Sequence, residues 1–310
     1  MIDKTFFQTL RILDGGMGQE LLSKGLKPTG TLWSAYALMY EEYHQMVIDT
    51  HIDFINAGAE VITTSTFTAR KGRLEQNNCL EVFEKINKTA VELAQRARDI
   101  AKKDVLIAGS LPNQKQTYSA DLGEDLDEIK ERFSSQAKYI KNGIDFFFLD
   151  VMGSGLECDI ALESIAPFNL PALIGVHLKE NGKLPSEESI TDIAARDQQN
   201  NWLGLIVACA SPNAYEMAQN EFNNLNIPYG FKLNAFDKIP ENYVVSSAKK
   251  WGEGGNPSLI LGINEELKKT EIFYQYVEKF MHNGATILGG CCEIGPEHIR
   301  VISQLKKVGS

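Results

Sequence analysis

The chain has 310 residues, 43% hydrophobic and 23% charged, with a formal net charge of −10. This is ordinary globular composition with ample length to bury a core, and an acidic chain without a basic patch argues against nucleic acid as a partner. No apolar run approaches the about 18 residues of a membrane span, and the N-terminal segment lacks a continuous apolar stretch, so neither a membrane segment nor a secretory leader is expected and a cytoplasmic location is.

Apolar runs alternate with helical patterns along the chain. The first strand is expected at 11–14, followed by Gly15-Gly16 and a short helix over 18–24. The spacing of Met39, Tyr43, Met46, Val47 and Ile52 predicts a helix over 37–57. A strand over 60–67, a long helix over 80–102 and a strand over 104–110 follow. An irregular polar segment then runs to Asp121. A helix is expected at 125–142, a strand at 145–150, a helix at 156–166 and a strand at 172–177. The second half reads as helix 187–199, strand 203–209, helix 213–225 and strand 229–235. A Gly- and Pro-rich loop near 252–257 leads to helix 264–283, strand 285–288 and helix 296–307.

Eight strands alternate with helices, and several are continuous apolar runs of the kind buried on both faces of a parallel sheet. The expected fold is α/β, a (β/α)₈ TIM barrel forming a single domain over 1–310. A doubly wound open sheet is the alternative, but no GxGxxG follows a strand and there is no P-loop.

In such a barrel the chemistry sits at the C-terminal ends of the strands. Asp14 and Gly15 end the first, Thr63–Thr66 lie in the second, Asp150 ends the fourth, Cys209 the sixth, and Cys291-Cys292 follow the eighth after Gly289-Gly290. Adjacent residues on a strand point to opposite faces, so these two thiols share a target only if the strand has ended, and two glycines permit that bend. Five cysteines, at 79, 158, 209, 291 and 292, are too few and irregular for a disulfide scaffold. Cys79 and Cys158 fall on or near helices. A lone cysteine on an apolar strand is ordinarily core. Three on one rim instead suggest a zinc site with an open fourth position. A thiolate-rich zinc activates water weakly, but suits holding a substrate thiol as its thiolate. Redox pairing of Cys291 with Cys292 is a further reading, disfavoured by the strained ring it would close.

Four segments resemble the homocysteine S-methyltransferase family: 13–21 (LDGGMGQEL), 57–65 (AGAEVITTS), 207–212 (VACASP), and 288–293 (LGGCCE) with the GPEHI that follows. The resemblance implies a (β/α)₈ barrel, a zinc ion (Zn²⁺) held by Cys209, Cys291 and Cys292, and methyl transfer to homocysteine. It also implies that Asp14, Gly15 and Thr64 help bind the amino-acid part of homocysteine. Asp150 stands where the family usually has Glu facing the substrate ammonium. Further departures are Ala208 before Cys209, a shortened glycine-rich stretch from Gly109, and Lys232-Leu-Asn234 where a Pro-Asn pair is typical.

A small sulfonium donor, S-methylmethionine or S-adenosylmethionine, suits a chain with no evident folate or cobalamin module. Betaine would call for an aromatic cage, for which Trp33, Tyr36, Trp202, Tyr229, Phe231 and Trp251 are the candidates. A barrel of the same family with an altered thiol substrate or no activity, acting by binding a small molecule or a partner, is the alternative. His177, at a strand's end, reads as a hydrogen-bonded histidine rather than a ligand. The oligomeric state is not encoded in any of these patterns.

Overall fold

Eight parallel strands close around a common axis in the computed structural model, which describes residues 2–199, 201–236 and 268–308. They are β1 Arg11–Ile12, β2 Val61–Thr63, β3 Leu106–Pro112, β4 Phe146–Met152, β5 Ala172–Val176, β6 Gly204–Ala208, β7 Tyr229–Leu233 and β8 Ile287–Gly290. The sheet order β1-β8-β7-β6-β5-β4-β3-β2 is that of a barrel. Its remaining seam, β1 to β2, is joined by a parallel bridge between Leu13 and Val61 and by the Asp14 N–H donating to Val61 O at 3.0 Å. The expected (β/α)₈ architecture is therefore present.

The apolar runs explain the layers. Inward residues of the strands, among them Leu13, Phe146, Phe148, Ile206 and Ile287, fill the barrel interior. Phe7, on the short helix Thr5–Gln8, packs edge-on against Phe146 and belongs to this interior cluster. Outward residues such as Ile107, Phe147, Ile174 and Phe231 form a second core against the helices. Among the described residues no helix is long and apolar enough to cross a membrane.

Several expected elements differ in length. The helix expected over 37–57 is three pieces, Ser34–Met39, a 3₁₀ turn Glu41–Tyr43 and His44–Ala57. Tyr40 is extended at the break, and the rings of Tyr36, Tyr40 and Tyr43 pack on one another there. The helix expected over 187–199 is only Ile190–Ala194, started by a capping box in which Ser189 and Asp192 exchange hydrogen bonds. The helix expected over 213–225 is interrupted at Ala218. A strand over 60–67 is cut to Val61–Thr63, because hydroxyls replace the ladder beyond it. Thr64 Oγ1 accepts the Ser110 N–H at 3.0 Å, and Thr66 Oγ1 donates to Ser110 O at 2.6 Å. The Gly- and Pro-rich loop, Trp251 and the start of the helix expected at 264 lie outside the described residues.

Candidate active site

The three rim cysteines converge. The Sγ atoms of Cys209, Cys291 and Cys292 all lie within 4.8 Å of one another, and Cys209 and Cys292 are 3.7 Å apart. Tetrahedral zinc with Zn–S bonds of about 2.3 Å places its sulfurs about 3.8 Å apart, so the set fits that ion.

Local backbone explains the convergence. β6 ends at Ala208, and Cys209 then takes a left-handed φ of 54°, with its N–H donating to Lys232 O at 2.8 Å. β8 ends at Gly290, so Cys291 and Cys292 are off the strand and free of its alternation. The two glycines before them serve closeness rather than handedness, since neither has a positive φ. A Cβ on Gly290 would lie 2.0 Å from Ile294 Cγ2, and one on Gly16 would lie 2.3 Å from Cys291 O.

Of the three thiols, Cys209 is the one pulled below its ordinary range. Hydrogen bonds from Cys291 and Cys292 are the main cause, and the Tyr118 hydroxyl adds a third. Cys291 and Cys292 are pushed up, above all because they donate to Cys209. Tyr118 lies in the polar segment after β3. Sequence reasoning passed it over, and nothing in its local pattern marks it.

The cysteines sit in a cavity that Asp14, Gly15, Thr64, Asp150 and Lys232 also line. Asp14 is 1% exposed, and its carboxylate is already engaged. It accepts from Thr63 N at 2.6 Å, from Thr63 Oγ1 at 2.9 Å, and from Lys232 Nζ. Lys232 also donates to Asp14 O at 3.2 Å. Thr64 Oγ1 is likewise engaged, by Ser110 N and Thr66 Oγ1. The Gly16 N–H donates to Ile294 O, whereas the Gly15 N–H has no acceptor among the described residues. A Cβ on Gly15 would collide with Ile294 O at 2.1 Å.

Asp150 does not end β4, as expected from sequence, but sits within it at a bulge. The register with β5 shifts between Leu149 and Met152, and Val151 takes φ 64°. Bulges of this kind re-aim a side chain. Its carboxylate accepts from Ser110 Oγ at 2.9 Å and from no other side chain among the described residues. Burial lifts this carboxyl to about 7, against the opposing pull of Lys232 and Ser110.

Of the aromatic candidates, Trp33 lines the cavity, joined by Phe67 and Tyr118. A Cβ on Gly18 would come within 2.4 Å of the Trp33 ring, so glycine lets that ring close over the helix Met17–Ser23. Tyr36 packs in the tyrosine cluster, and Trp202, Tyr229 and Phe231 belong to the outer core. His177, whose ring packs at a tilt against Tyr118, is buried and held neutral, with its pKa lowered to about 4 chiefly by burial.

The fold and site together define a (β/α)₈ barrel with a three-cysteine centre at its C-terminal rim. A family profile described as "Homocysteine S-methyltransferase" matches residues 11–305, and the chain belongs to that family. It is an enzyme of the methyltransferase class. Homocysteine S-methyltransferase 1 of Brassica oleracea var. italica is 26% identical over 94% of this chain and 92% of its own length. Selenocysteine Se-methyltransferase of the same plant is 24% identical over 94% and 87%. The metallated crystal structure of the homocysteine methyltransferase MmuM from Escherichia coli superposes with a TM-score of 0.75. It covers 96% of both chains at 19% identity, which is a likeness of fold.

Proposed function

We propose that this member of the family is a zinc enzyme that methylates the thiol of homocysteine from a small sulfonium donor, giving methionine. The observation that carries the reading is the meeting of three cysteine sulfurs with two carboxylates and a lysine in one cavity. The chemistry of relatives supports it, since homocysteine and selenocysteine, which their names specify, are both amino acids with a nucleophilic chalcogen.

Cys209, Cys291 and Cys292 would hold the ion. When bound, zinc would lower the pKa of the acceptor thiol so that its thiolate exists near neutral pH. The rest falls to the chain. Asp150 accepts the acceptor's ammonium, because its carboxylate has only Ser110 as a side-chain partner. Asp14 stays paired with Lys232 and holds that side chain in the cavity wall. The Gly15 N–H supplies one donor toward the carboxylate. Trp33, Phe67 and Tyr118 shield the reacting atoms from water and offer π faces to a cationic donor. The acceptor sulfur attacks the donor methyl carbon in line. The new S–C bond forms as the donor's C–S⁺ bond breaks, and the sulfonium leaves as a neutral thioether. Once the thiol proton has left, no general base is required, and catalysis is positioning and desolvation. The thiols must stay reduced, which fits a cytoplasmic setting.

The test is methyl transfer to homocysteine by zinc-reconstituted protein, with S-methylmethionine, S-adenosylmethionine and betaine compared as donors. Turnover with a sulfonium and not with betaine is expected. Turnover with betaine alone would contradict the donor class, and zinc binding without turnover would favour a binding role.

A further inference from the structure

We propose that Lys232 binds the carboxylate of the acceptor amino acid, while Asp150 takes its ammonium. This rests on the thiol-methylation reading above and adds to it a specificity residue that comes from β7.

Lys232 is the fourth residue of β7, with a side chain 7% exposed, and it lines the same cavity as the three cysteines. An ammonium has three N–H donors. Two are directed at Asp14, to Oδ1 and to the backbone O. Lys232 has no other acceptor among the described residues, so one donor is left for the cavity. The stem reaches Asp14 because β8 offers no side chain at Gly289. A Cβ there would lie 3.2 Å from Lys232 Cγ and 3.1 Å from Asp14 O.

A buried lysine is costly to keep, and structure alone does not call for it, since an apolar residue closes such a barrel at least as well. Asp14 neutralises its charge but does not saturate its donors. Across the cavity, Asp150 presents the complementary arrangement, a carboxylate with one side-chain donor. The two are close enough for the charge of Lys232 to act on Asp150. A cavity with an unengaged ammonium N–H on one side and a lightly engaged carboxylate on the other, beside a thiol-binding centre, matches an amino acid carrying a thiol. A thiol with only an ammonium would satisfy Asp150 and leave the third Lys232 N–H dry. A thiol with only a carboxylate would do the reverse. Either mismatch leaves a desolvated hydrogen-bonding group without a partner.

The proposal is tested by calorimetric binding to the zinc-reconstituted protein, which needs no methyl transfer. The probes are homocysteine, 4-mercaptobutyrate, which lacks the ammonium, and 3-mercaptopropylamine, which lacks the carboxylate. In the wild type each analogue is expected to bind on the order of 10- to 100-fold more weakly than homocysteine, the loss of one charge-assisted hydrogen bond. Lys232→Met is expected to weaken homocysteine and 4-mercaptobutyrate by a similar factor and to leave 3-mercaptopropylamine within a few-fold. Lys232→Arg is expected to restore much of the carboxylate preference. Because Lys232→Met leaves Asp14 unpaired, the Asp14→Asn/Lys232→Met double variant is measured alongside and should show the same selectivity. An equal loss for all three thiols would mean that Lys232 only supports the fold, and would overturn the proposal. Wild-type protein binding 3-mercaptopropylamine as tightly as homocysteine would overturn it without any variant. Failure of the wild type to bind any of the three would instead contradict the underlying thiol reading.

Discussion

The Tyr118 hydroxyl lies 3.2 Å from Cys209 Sγ, and its ring packs against that of His177, tilted by 43° with centroids 4.4 Å apart. Tyr118 thus donates to the one thiol of the three that the cluster drives toward thiolate. Tyr118→Phe keeps the ring and removes the donor. In metal-free protein the first thiolate titration, followed by its ultraviolet absorbance, is expected to move to higher pH. The move should be smaller than that caused by Cys291→Ala, since the cysteine hydrogen bonds are the larger causes. No movement would mean that the hydroxyl does not bond to the sulfur.

Asp150 carries two pH signatures of opposite use. Its folded pKa, raised to about 7 by burial, lies above the ordinary carboxylate value of about 3.9. Between those values the folded state holds the extra proton, so this group's contribution to stability falls as pH rises from about 4 to about 7. Binding has the reverse trend, because only the carboxylate attracts an ammonium. Homocysteine affinity is expected to rise through about pH 7, whereas 4-mercaptobutyrate should lack this component. Asp150→Asn should flatten the difference and weaken homocysteine by on the order of 10- to 100-fold. A wild-type difference that persists in Asp150→Asn would assign the ammonium to another group.

Gly16 and Gly290 are expected to be intolerant for steric reasons. Gly16→Ala pushes a methyl into backbone, the carbonyl of Cys291, at 2.3 Å, and Gly290→Ala pushes one into Ile294 at 2.0 Å. Each should cost about 1–3 kcal/mol in urea unfolding. Gly16→Ala should also lower metal affinity, because the collision displaces a cysteine of the cluster. Full stability and metal content in Gly16→Ala would contradict this packing.

His51 is fully buried, and neither ring nitrogen has a hydrogen-bond partner among the described residues. Burial lowers its pKa to about 4, against the pull of Asp14. The folded pKa is depressed, so the unfolded chain takes up the proton first. Stability from this group is full above about pH 6.5 and is lost as pH falls toward 4. Urea unfolding at pH 7 and pH 5 should differ by a further 1–2 kcal/mol, roughly, in the wild type compared with His51→Leu. An unchanged acid slope in the variant would place the titration elsewhere.

The parts legible in sequence were those encoded locally. Short apolar runs alternating with helical patterns marked all eight strands, and Gly-Gly-Cys-Cys after an apolar run marked a bend with two thiols leaving the sheet. Even there the role of the glycines was different, since close approach to Ile294 and Asp14 demands them and a left-handed turn does not. Asp150 was legible as a rim carboxylate, but the bulge that aims it was not, because nothing in Leu149–Met152 distinguishes a bulge from a regular strand. Lys232 read only as a departure from the family pattern. Its partner Asp14 is 218 residues away and becomes its neighbour only when β7, β8 and β1 close the barrel. The break at Tyr40 was hidden by an apolar spacing that continues across it. The start of the helix Ile190–Ala194 was placed too early because its Ser189–Asp192 capping box was passed over.

The most direct measurement is zinc content after anaerobic reconstitution, in the wild type and in Cys209→Ala and Cys291→Ala, with homocysteine methylation assayed on the same samples. Stoichiometric zinc and turnover in the wild type, both lost in each variant, are expected if the three sulfurs form the working centre. A wild type that takes up no zinc, or a variant that keeps both zinc and activity, would contradict it.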